Sequence, residues 1–73
     1  MVNVKALKER MEEKKVTFED LGAALKVPTW KARRFILGSL YMDVEQAETV
    51  QNALEIEDRD FDYYFFDPVY SLA

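Results

Sequence analysis

The sequence predicts an all-α fold of four to five helices packed into one compact domain. Three observations carry that expectation. Apolar residues recur at intervals of three and four along most of the first 66 positions. Residues suited to helix N-caps (Asn3, Thr17 and Asp43) stand just ahead of periodic segments, and Pro28, Gly38 and Pro68 fall where helices should start or stop.

Asn3 is placed to cap a first helix through about Lys14, with Val4, Leu7 and Met11 as its buried stripe. Lys5, Lys8, Glu9, Arg10, Glu12 and Glu13 take the remaining faces and read as a solvated surface. Lys14 and Lys15 sit near the C-terminal end, where the helix dipole favours positive charge. Thr17 caps a second helix with Glu19 and Asp20 in its first turn, and Leu21, Ala24 and Leu25 form its stripe. A third helix begins near Pro28, because proline has no N–H to lose in a first turn. Its inward residues are Ala32, Phe35 and Ile36, and Gly38 stands where a left-handed C-cap is expected.

Ser39 to Met42 is a short connection to a fourth helix, which Asp43 caps with Gln46 as in a capping box. Val44, Ala47, Val50 and Leu54, together with Ala53, supply its inward face. Ile56-Glu57-Asp58 breaks the pattern and opens a last short helix around Asp58 to Phe66, which Pro68 cannot continue. Residues 1–66 are therefore expected to form the domain, with residues 67–73 an extension that is either docked or frayed.

Seventy-three residues bury only about 60% of the surface their unfolded chain exposes, which leaves little room for a large pocket. The expectation is a protein that is not an enzyme. The absence of cysteine and histidine removes disulfides, thiol and imidazole chemistry and any Cys/His zinc site, so no metal or cofactor is expected. No apolar run approaches a membrane span, and the N-terminus lacks the apolar core of a signal peptide; a cytoplasmic chain is expected. The net charge of −4 is unevenly spread. Residues 1–40 hold nine Lys/Arg against five Asp/Glu, while residues 41–73 hold only Arg59 against nine acids.

The segment Thr17 to Gly38, TFEDLGAALKVPTWKARRFILG, is two short amphipathic helices joined by a tight turn, and it resembles the phage repressor and Cro-like helix-turn-helix (XRE-type) DNA-binding family. Thr17 opens the first helix, Gly22 takes the small-residue place where the two helices cross, Leu25 is apolar and Val27 follows the turn. Ala32 and Phe35 take the two buried places of the recognition helix, and Gly38 takes the closing glycine. The likeness extends more loosely over about 60 of the 73 residues and implies a lambda-repressor-like domain. In such families the second helix of the motif enters the major groove.

Carried over by register, the positions that reach base edges fall on Thr29, Trp30 and Arg34, with Lys31 and Arg33 beside them. Arg34 can pair bidentately with guanine, and Thr29 can offer its hydroxyl to a base or phosphate and its methyl to thymine. Lys31 and Arg33 suit phosphates, which position a helix without specifying sequence. The competing reading of these charges is a solvated helix face. Three residues depart from the family pattern: Lys26 stands where the turn usually has glycine, Phe18, also a DNA-binding candidate, where glutamine often braces the backbone, and Trp30 where a small polar residue is usual.

Phe61 to Tyr70 holds six of the ten aromatic residues, more than a small monomer can bury. By spacing, Phe61, Tyr64 and Phe65 are core, whereas Tyr63, Phe66 and Tyr70 are candidates for self-association or a partner site. The leading expectation is a sequence-specific transcriptional regulator of bacterial or phage Cro or repressor type, binding double-stranded operator DNA as a homodimer. The alternative is an antirepressor-like modulator that uses Phe18, Trp30, Arg33 and Arg34 to grip another regulatory protein, as the exposed Trp and Arg of a protein hot spot would.

Overall fold

A computed structural model describes residues 2–66 as five α-helices with no strand among the described residues. They are α1 (Val4–Lys14), α2 (Phe18–Leu25), α3 (Thr29–Ile36), α4 (Val44–Ala53) and α5 (Phe61–Phe65), the last preceded by a 3₁₀ turn at Asp58–Asp60. The all-α class is the one expected. One core unites Leu7 and Met11 of α1, Leu21 of α2, Ala32 and Ile36 of α3, Ala47, Val50 and Leu54 around α4, and Ile56 and Phe65. Within it α2 packs on both α3 and α4, while α1 lies against α3 and α5.

The helix starts follow local chemistry. The Asn3 side chain accepts from the Ala6 N–H at 3.1 Å, while the Asn3 N–H donates to the Tyr64 carbonyl at 2.8 Å and ties the start of the chain to α5. Thr17 and Asp20 form a reciprocal capping box, at 3.1 and 3.0 Å, and Asp43 and Gln46 form another at 2.8 and 3.0 Å.

The helix ends share one device. Lys15, Lys26, Gly38 and Glu55 all stand at positive φ (56°, 59°, 83° and 53°), and each closes its helix with paired reverse bonds of the Schellman type. At α3, for example, the Gly38 N–H donates to the Phe35 carbonyl and the Ser39 N–H to that of Arg34. Only one of the four positions is glycine. At Lys26 the left-handed turn is therefore made by a residue whose Cβ makes that shape costly.

Several inward assignments shift. The buried row of α4 is Ala47, Val50, Gln51 and Leu54, and it ends before reaching Val44, which is 70% exposed. Gln51 can be buried because its amide nitrogen is satisfied, donating to the Ile56 carbonyl at 3.2 Å and to Asp58 Oδ1 at 2.7 Å. On α2 the interior residues are Leu21 and Gly22, and Ala24 faces solvent, because the helix turns toward α3 through its glycine. Ala6 is interior while Val4 is half-buried. Arg10 is not a solvated charge: its guanidinium donates to the carbonyls of Leu54 (2.9 Å) and Glu55 (2.7 Å), capping the end of α4.

The helix expected over Asp58 to Phe66 divides into the 3₁₀ turn and α5. Phe65 is buried, and Phe61, half-buried, stacks on it with ring centroids 4.7 Å apart. Tyr64 is also half-buried, and burial pushes its phenol above the usual tyrosine range. The expectations for Tyr70 and for the extension at residues 67–73 lie outside the described residues.

Candidate nucleic-acid interface

Gly22 sets how closely α2 and α3 approach. A Cβ on this residue would lie 3.0 Å from the Val27 carbonyl oxygen and 3.4 Å from the Thr29 Cα, both backbone atoms of the incoming chain. The small residue at the crossing thus brings the first turn of α3 onto α2, as its register implies. Gly38 then reverses the chain behind α3 at a φ that L residues rarely adopt.

Between these two glycines α3 is sharply two-sided. Ala32, Phe35 and Ile36 are buried, which turns Trp30, Arg33, Arg34 and Leu37 outward at i, i+3, i+4 and i+7. Together with Thr29 and Ser39 they line one shallow surface depression. Trp30 is 58% exposed, and the Arg34 guanidinium lies over its ring, 5.5 Å from the centroid. Lys31 is carried to the flank of the helix, where its Nζ is 6.0 Å from the centroid of Phe35. No acidic residue occurs from Leu21 to Met42, and among the described residues Lys26, Lys31, Arg33 and Arg34 have no carboxylate within ion-pair distance.

The structure thus brings Thr29, Trp30, Arg33 and Arg34 together, with Lys31 at their edge. Phe18 is not part of the group. It is half-buried against the core and lines a separate hollow with Lys8, Met11, Glu12, Lys15 and Val16, between the end of α1 and the start of α2. As the first residue of α2, half-buried and packed against the core, it is a packing residue. The opening of α2 is moreover acidic: Glu19 and Asp20 occupy its first turn, and the Asp20 carboxylate is committed to the capping box.

Tyr63 and Phe66 are both exposed on or after α5. Phe66 lines a further small hollow with Val2, Gly38, Leu40, Tyr41, Met42, Ala47 and Phe65. Tyr41, 88% exposed, joins the aromatic candidates here and was not singled out from the sequence. The signal was the apolar character of Leu40-Tyr41-Met42 in what reads as a simple connection. Leu37, beside Arg33 and Arg34, was missed for a similar reason: helical spacing alone does not say where the stripe ends.

Among the described residues no helix is long and apolar enough to cross a membrane. Comparison of the chain with family models, with curated proteins and with solved structures finds no match. The functional reading therefore stands on the geometry of α3 and its surroundings.

Proposed function

We propose that this chain is a sequence-specific DNA-binding transcriptional regulator of the bacterial or phage repressor and Cro type, with α3 as the recognition helix. It acts in the cytoplasm, without catalysis or cofactor. The observation that carries this reading is the outward stripe of α3, where Trp30, Arg33 and Arg34 stand opposite a buried apolar face with, among the described residues, no carboxylate in ion-pair reach. Arg34 reads guanine, Thr29 contacts a base or phosphate, and Lys31 and Arg33 hold the phosphates that fix the helix in the groove. A homodimer would place two such helices roughly 34–36 Å apart along the duplex.

Titration of duplex DNA at two salt concentrations, with Arg34→Ala alongside, tests the proposal. A regulator of this kind prefers particular sequences, loses affinity steeply with salt, and loses discrimination worth about 1–3 kcal/mol with Arg34→Ala. Lys31→Ala and Arg33→Ala should weaken all duplexes alike and each reduce the salt slope by about 1. Sequence-blind binding by a folded protein would sink the proposal.

A second reading is favoured by one observation, the exposure of Trp30 next to Arg34 and Leu37. Trp and Arg beside apolar surface is the composition of a protein hot spot. A protein-binding modulator would lose most of its partner affinity with Trp30→Ala and would tolerate salt better than a DNA reader does.

A further inference from the structure

Trp30 is the residue on α3 least expected at a base-reading surface, and its geometry supplies a reason for it. Its ring is one helical turn from Arg34, at i and i+4, and the Arg34 guanidinium rests 5.5 Å from the ring centroid. Among the described residues the only other cation over a ring is Lys31, which is turned to Phe35 on the flank. Arg33 therefore has no comparable platform, although it shares the same depression.

We infer that Trp30 is a positioning residue for Arg34: its indole face holds the guanidinium over the outer surface of α3 so that guanine in a major groove is met by a pre-oriented donor pair. The inference rests on the DNA-reading proposal above and names what that site selects. An exposed arginine samples many rotamers and loses that freedom when it pairs with a base. A ring beneath the guanidinium removes part of the loss before DNA arrives. A guanidinium drawn over a ring by its charge gives up no hydrogen bond to a carbonyl or carboxylate, so its N–H donors stay free, and those donors match guanine O6 and N7. Pre-orientation thus acts on discrimination, whereas the positive charge alone acts on every duplex equally.

The test uses the full chain and a duplex selected by the wild-type protein from a random pool. At the guanine whose recognition depends on Arg34, guanine is replaced by 7-deazaguanine, which lacks the N7 acceptor. The wild-type protein should lose about tenfold or more in affinity on that replacement, and Arg34→Ala should lose nothing further. Trp30→Leu should narrow the guanine preference, read as the ratio of affinities for the selected and an unrelated duplex, by about three- to fivefold, and Trp30→Phe, which keeps a ring, should restore most of it. In the Arg34→Ala background, Trp30→Leu should have no additional effect on discrimination. As the chain's only tryptophan, Trp30 also reports occupancy of this surface through its fluorescence.

Three outcomes would overturn the inference. If Trp30→Leu weakens every duplex alike, the ring is a general contact. If its effect adds in full to that of Arg34→Ala, the ring acts independently of the guanidinium. In both cases DNA reading survives. If the wild-type protein selects no sequence from the pool, DNA reading itself fails and the inference with it, and that result is seen before any variant is made. Circular dichroism of each variant confirms that the largely exposed position leaves the fold intact.

Discussion

Lys26 holds the turn between α2 and α3 at φ 59°, a conformation that costs an L residue roughly 1 kcal/mol. The closing bonds from Lys26 and Val27 back to Ala23 and Gly22 keep it there. Lys26→Gly should therefore raise stability by up to about 1 kcal/mol, read as a higher urea midpoint at an unchanged slope. No change would mean that the greater backbone freedom glycine gives the unfolded chain cancels the relief. Gly22 argues the other way. Gly22→Ala gains about 1 kcal/mol in helix propensity, but the new methyl meets backbone atoms that cannot rotate aside. Overpacking of this kind costs about 1–3 kcal/mol, so a net loss of roughly 1 kcal/mol is expected. A variant at least as stable as wild type would show that α2 and α3 can part without penalty.

At the scale of elements, the helices are closed by their own caps and by one another. Arg10 on α1 donates to the two carbonyls at the end of α4, and Lys14 places its ammonium 3.4 Å from Glu55 on the same turn. The two contacts differ in weight. Charged hydrogen bonds to otherwise unsatisfied carbonyls are worth about 1.5–3 kcal/mol, whereas an exposed ion pair is worth under about 1 kcal/mol. Arg10→Ala should accordingly destabilise the domain by about 1–2 kcal/mol once its partial exposure is considered, and should speed hydrogen exchange in the last turn of α4. Lys14→Ala should be nearly silent in the same urea titration. Equal losses for both would show that charge, and not the capping geometry, joins α1 to α4.

At the scale of the whole molecule, charge would set how strongly α3 binds DNA under the proposed function. The described protein spans about 31 × 23 × 21 Å, while the screening length is about 30 Å at 0.01 M salt and about 8 Å at 0.15 M. In dilute salt the field of the acidic residues of α4 and the turn after it reaches α3 and would repel a phosphate bound there; at physiological salt it is mostly screened. Neutralising exposed acids of α4 with Glu45→Gln and Glu48→Gln should raise DNA affinity and association rate several-fold in dilute salt and little at 0.15 M. An equal gain at both concentrations would mean that these carboxylates touch the bound duplex.

What the sequence by itself determined is local. Asn3, Thr17 and Asp43 cap helices because their side chains reach amides three residues ahead, and Ala32, Phe35 and Ile36 face inward because a helix repeats every 3.6 residues. The register of the family resemblance names Thr29, Trp30, Arg33 and Arg34, and the structure places them on one surface. Interactions between distant residues followed no such rule. Only the tertiary structure decided that Gln51 and not Val44 is covered, that Arg10 closes a helix 44 residues away, that Phe18 packs against the core, and that Tyr41 joins an exposed apolar rim. The position of the Arg34 guanidinium over the Trp30 ring also had to be seen, because i and i+4 spacing allows that contact without choosing the rotamers that make it. Spacing along the chain specifies which face a residue occupies; only the packed neighbours and the side-chain rotamers specify what that face touches.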